Sequence, residues 1–145
     1  MSRKLSHQSL PDRFNHLLNV ISSQRFLEMK GLNNDLPFYV CEYRPAEAMD
    51  MERMRRQLAS NLAAKHVECL GGRGVRVLEI NLYDLMIGLL REQVDWEELA
   101  AFERAEPKSV LLEELQSTLN LREVLIPRIR ERTAERPVRV LFLTG

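Results

Sequence analysis

Three short stretches carry residue types that could do chemistry. Glu42-Tyr43-Arg44 and Asn81-Leu82-Tyr83-Asp84 each follow an apolar run and open a helical one. That is the place where open α/β sheets bind ligands, outside the carboxyl ends of their strands. Arg44, Asn81 and Asp84 are therefore the candidate ligand-cleft residues: a guanidinium, an amide and a carboxylate suited to a polar ligand. The same residues have a plainer use, since Asp84 falls in the first turn of a helix, where a carboxylate is stabilising in any case. Neither turn contains the glycines that let a backbone cradle a phosphate. The third stretch, Thr144-Gly145, could begin a glycine-bearing loop.

Gly71-Gly72-Arg73-Gly74 has phosphate-loop composition but the wrong direction. An anion-binding loop leaves a strand and enters a helix, so that amides at the helix start meet the anion. This one leaves a helix and enters a strand, and reads as a helix-ending turn. His7, His16 and His66 show no metal-ligand spacing with either cysteine or with neighbouring carboxylates. No serine occupies a strand-to-helix elbow between glycines. No catalytic residue, metal ligand or cofactor site is assigned.

Charge is balanced overall, with 21 basic and 21 acidic residues, but unevenly placed. Residues 92–114 hold eight acids, Glu97 and Glu98 among them, against two bases, while 122–139 hold six arginines, including Arg122, Arg128, Arg130 and Arg132, against three glutamates. Two solvated helix faces of opposite sign would account for this. Complementary surfaces for protein partners would as well, since such fields set orientation and association rate. The arginine run lacks interleaved aromatics, so nucleic acid is expected to be touched only indirectly. A net charge of zero also argues against a dedicated nucleic-acid or membrane-surface binder.

The elements that must position these residues follow from periodicity. Ser9 caps a helix from Pro11 to Ser22 whose Phe14, Leu17, Leu18 and Ile21 form one apolar stripe, and a short helical piece, 24–29, follows. The run Phe38–Tyr43 is expected to be a strand buried on both faces. Pro45 opens a helix to about Lys65 with Met51, Met54, Leu58 and Leu62 inward and Met49 placed either way. A second strand covers Val75–Ile80 and feeds a helix over 83–91. Asp95, with Glu98 three residues on, caps the next helix. Another runs from Pro107 to Leu119, and a last one from Asn120 to about Ala134 is interrupted by Pro127. Val138–Leu143 makes the third strand. Strand, helix, strand, helices, strand predicts a helix-rich α/β fold with a small, mostly parallel, Rossmann-like sheet of about three strands. The 145 residues are taken as a single domain, with N-terminal helices over 9–30 and a helical insertion over 95–134.

With 45% hydrophobic and 29% charged residues the chain has globular composition. No apolar run approaches the roughly 20 residues needed to span a bilayer. Asp12, Arg13, Asn15 and His16 interrupt any signal-peptide core. Cys41 and Cys69 read as reduced thiols, and a cytoplasmic location is expected.

The segments SSQRFLEMKGL, DLPFYVCEYRP, VLEINLYDL and VLFLTG, in this order and spacing, resemble the BrxB family of BREX phage-defence systems. The most specific of them are Leu36-Pro37-Phe38-Tyr39, Tyr43-Arg44-Pro45 and Glu79-Ile80-Asn81-Leu82-Tyr83-Asp84. Family members look longer, so the chain is expected to lack a C-terminal part. The resemblance implies an antiviral role among partners similar to a PglZ-like alkaline-phosphatase-fold protein, an AAA+ ATPase and a DNA methyltransferase. It carries no catalytic motif onto these residues. The reading is a non-enzymatic adaptor, first of all for the PglZ-like protein and second for the ATPase or methyltransferase. The alternatives are a nucleotide-binding or hydrolytic domain completed by further C-terminal residues, and accessory DNA contact through the arginine-rich helix.

Overall fold

The computed structural model describes residues 8–28 and 39–145. The chain divides into two compact units, Met1–Val77 and Leu78–Gly145.

In the first unit, α1 (Leu10–Ile21) is capped by the Ser9 side chain, which accepts from the Asp12 N–H, and Pro11 sits in its first turn. A four-residue helix, α2 (Gln24–Leu27), follows with Ser23 as its cap. After a 3₁₀ turn over Pro45–Glu47, α3 (Ala48–Ala64) packs on α1. Its buried residues are Met51, Met54, Leu58 and Leu62, the spacing of one helix face, whereas Met49 is exposed. Leu17, Ile21, Leu27, Val67 and Val75 complete the buried apolar set. A fully buried side chain of this size contributes about 1.5–3 kcal/mol through removal from water.

The return from α3 is the expected glycine turn. Gly71 and Gly72 lie at φ of 64° and 78°, a left-handed backbone that side chains disfavour. A Cβ on Gly74 would lie 1.8 Å from the Ala63 carbonyl oxygen, so only glycine admits this approach. Val75 then donates to the Leu62 carbonyl, pinning the turn before the strand begins.

In the second unit, β1 (Val77–Asn81) and β2 (Val140–Thr144) form a two-stranded parallel sheet. Between them come α4 (Leu82–Gln93), α5 (Trp96–Ala105), α6 (Lys108–Thr118) and α7 (Ile126–Ala134). The core is Ile80, Leu85 and Leu89, with Leu78, Leu119, Val124, Leu125, Ile129 and Leu141 packed against it. The break expected at Pro127 takes the form of a π turn over Leu121–Leu125. Proline has no N–H, and its ring would meet the carbonyl four residues back. Widening the preceding turn, with Leu125 and Ile126 donating five residues back to Asn120 and Leu121, relieves that clash.

The sheet therefore has two strands where three were expected. Phe38 lies outside the described residues, and Tyr39–Tyr43 has no regular secondary structure and makes no strand. Tyr39, Val40 and Tyr43 are each more than half exposed. An apolar run signals burial only if something covers it; here Tyr39 meets the Phe26 ring at 5.8 Å, and the Glu42 carbonyl is taken by a side chain rather than by a ladder.

Candidate functional site

Among the ligand-cleft candidates, Arg44 belongs to the first unit and Asn81 and Asp84 to the second. Arg44 precedes the Pro45–Glu47 turn and is held by Glu47. Its backbone N–H donates to Glu47 Oε2 at 3.0 Å and its guanidinium to Oε1 at 3.2 Å. Glu47 also accepts from Arg13 Nη2 at 2.9 Å. Donation from the Arg44 backbone, then from the Arg44 and Arg13 side chains, outweighs desolvation and holds the Glu47 carboxyl down at about 2.

Arg13 is the residue that sequence reasoning passed over. It is 1% exposed, and its guanidinium serves three acceptors: the Gln8 carbonyl at 3.0 Å, the Glu42 carbonyl at 3.3 Å and Glu47. It ties α1 both to the Tyr39–Tyr43 segment and to the turn before α3. Its spacing to Leu17 and Ile21, four and eight residues on, placed it in register with the buried stripe; that was the available signal. Cys41, beside this cluster, has its thiol pushed up by burial, partly opposed by Arg13.

In the second unit Asn81 caps α4, its side chain accepting from the Asp84 N–H at 3.1 Å. The structure thus brings Asn81 and Asp84 together, with both exposed. Gly145, at φ of 123°, lies against the same helix start: a Cβ there would sit 2.9 Å from Asn81 Oδ1 and 3.0 Å from the Tyr83 nitrogen. Gly145, the residue after β2, thus meets the turn after β1 at the carboxyl ends of the two strands. What they assemble is a helix cap and a close backbone approach, with no nucleophile paired to a base. Among the described residues no group of three or more His, Cys, Asp or Glu side chains is placed to hold a metal ion.

The charged candidates all fall in the second unit. Arg128 is engaged internally, donating to both Glu92 oxygens at 2.7 and 3.1 Å and lying 3.4 Å from Glu131. This fork lowers the Glu92 carboxyl and raises Arg128. Arg122, Arg130 and Arg132 are exposed, as are Glu97 and Glu98, whose backbone N–H groups are both capped by Asp95. Acidic and basic segments thus join at one point and otherwise face water.

A feature not legible from charge lies on the same helices. The stretch from α5 through α7 contains no fully buried residue. Leu121 is 62% exposed, Leu112 55% and Trp96 46%, with Ile126 and Val110 also exposed. The Trp96 ring carries the Arg91 guanidinium 5.4 Å from its centroid. Trp96, Val110, Leu112, Leu121 and Ile126 are thus large apolar side chains left open to solvent along consecutive helices that bury no residue fully.

Residues 78–145, the whole second unit, match the family described as BREX protein BrxB. A protein of Bacillus cereus (strain H3081.97), described as BREX protein BrxB, is 24% identical over 142 residues, an alignment covering 92% of this chain and 67% of that protein. No solved structure matches the chain. No helix among the described residues is long and apolar enough to cross a membrane.

Proposed function

We propose, because this chain belongs to the BrxB family and is thereby a component of a BREX system, that it acts there as a non-enzymatic adaptor docking the PglZ-like protein. The observation that carries this reading is the run of helices α5–α7, which presents Trp96, Val110, Leu112, Leu121 and Ile126 to solvent. A few anchors, aromatic ones such as Trp96 foremost, dominate protein interfaces, while the surrounding charges orient the approach. The exposed Glu97 and Glu98 of α5 and Arg122, Arg130 and Arg132 in and before α7 supply such charges. The AAA+ ATPase and the methyltransferase are the second choice of partner.

The test is a titration of the PglZ-like protein with the unaltered chain and with the Leu112→Asp/Leu121→Asp variant. Both leucines are exposed, so far-UV circular dichroism is expected to be unchanged. Affinity is expected to fall at least about tenfold, the loss of one modest anchor. Removing Glu97 and Glu98 is expected to act mainly on association rate and salt dependence. Full-affinity binding by the double-aspartate variant would remove these helices from the interface.

A further inference from the structure

The helices of the second unit differ in how they are held. α4 buries Leu85, Leu89 and Leu90. α7 is tied in by Ile129, which packs on the core, and by the Arg128 fork on Glu92. The intervening α5 and α6 have neither kind of attachment. Neither buries a residue fully, and within the unit each packs more on the other than on any other element. Their least exposed large apolar residues, Leu99, Phe102, Leu111 and Leu115, are only half-buried and stand outside the Ile80, Leu85 and Leu89 cluster.

We infer that α5 and α6 form a helical arm that opens and closes as one piece while β1, β2, α4 and α7 stay folded. Helix length supports this. The two helices have 10 and 11 residues, below the roughly 12–15 at which an isolated helix is even marginally stable in water. Each therefore depends on packing, and within the unit that packing comes mainly from the other. Losing one helix loses both, which makes the pair a single cooperative unit. The arm joins the rest of the unit at two points. At the first, Val94 is extended, with φ −130° and ψ 139°, Asp95 caps α5, and the Arg91 guanidinium of α4 lies over the Trp96 ring. At the second, Leu119 packs on the core and Asn120 caps the π turn. The turn between the helices, Glu106-Pro107, is exposed. Elements that move on binding are drawn from the least stable parts of a fold, and a pair held at its two ends is such a part. Under the adaptor reading the partner selects the closed arm, but the opening belongs to the chain alone and does not rest on that reading.

Native-state hydrogen exchange of the full chain, read by NMR at rising urea below the unfolding transition, tests this. Amides of α5 and α6 are expected to share one protection, at least about tenfold below that of the Leu85 and Leu89 amides in α4. Their urea dependence is expected to be smaller, since a partial opening exposes less surface than global unfolding. Arg91→Gln removes the contact over Trp96 from an exposed position on α4. It is expected to speed exchange in α5 about two- to fivefold, the worth of an exposed cation–π contact, and in α6 by the same factor, although Arg91 touches only α5. Equal protection and urea dependence in α4, α5 and α6 would overturn the inference. So would separate exchange rates for α5 and α6, exchange of both at the rate of an unstructured chain, or an Arg91→Gln effect confined to α5.

Discussion

Arg13→Met offers the sharpest view of what holds the first unit together. The guanidinium is 1% exposed and reaches two backbone carbonyls and one carboxylate. Methionine matches the length of the arginine stem but leaves the three acceptors without this donor. At about 1.5 kcal/mol for each bond from a charged donor, the two carbonyl bonds alone come to roughly 3 kcal/mol. Regained apolar burial offsets part of that, so the expected loss is about 2–3 kcal/mol. For a unit of this size, each kcal/mol moves the melting temperature by about 4–8 °C, so the shift is of order 10–20 °C. Arg13→Lys keeps the charge, yet a point-like ammonium cannot span three acceptors, and about half the loss is expected. Urea unfolding followed by far-UV circular dichroism is the assay. Hydrogen exchange across Tyr39–Tyr43 supplies a local readout, because the Glu42 carbonyl loses its anchor. A methionine variant within about 0.5 kcal/mol of the parent, the usual range for surface changes, would refute the reasoning.

Three further outcomes follow from the same geometry. Glu47 has a folded pKa lowered from 4.5 to about 2, so its contribution is fully present above the unfolded value and is lost as pH falls from about 4.5 to about 2. The urea midpoints of the parent and Glu47→Gln should therefore differ at pH 7 and converge as the pH approaches about 2, and a constant difference would contradict the assignment. Gly74→Ala drives a methyl into the Ala63 carbonyl and is expected to cost about 1–3 kcal/mol by chemical denaturation, whereas Gly88→Ala, with open space at that position, should be neutral or stabilising. Pro127→Ala restores the missing N–H and removes the ring, so backbone chemical shifts over Leu121–Leu125 are expected to move to α-helical hydrogen bonding; shifts unchanged from the parent would mean the π turn has another cause.

Local chemistry made much of the fold legible. Ser9 and Asp95 cap the helices they were expected to cap, because a short polar side chain before an apolar-periodic run has one inexpensive use. Met51, Met54, Leu58 and Leu62 are buried as their spacing requires. The strands near 77 and 140 exist, each shifted toward the C-terminus, the first because Val75 is taken by the glycine turn. Tyr39–Tyr43 defeated the reading, since an apolar run records composition and not whether a neighbouring strand is available. Arg13 was hidden for a related reason: its ion-pair partner is 34 residues away, and only tertiary structure brings them together. The candidate site was legible in part, as Asn81 and Asp84 do meet, but as a helix cap. Helical period alone did not single out the exposed Trp96, Leu112, Leu121 and Ile126 of α5–α7, nor separate Val110, which is exposed, from Leu119, which shares its stripe and packs on the core.

The adaptor reading is tested most directly by co-expressing this chain with the PglZ-like protein of the same BREX system and measuring the mass of the purified complex by light scattering. At about 0.3 M salt, where exposed ion pairs are largely screened, the account predicts a defined complex that survives, because apolar anchors on α5–α7 hold it. Two separate species at that salt, with the chain folded, would contradict the account.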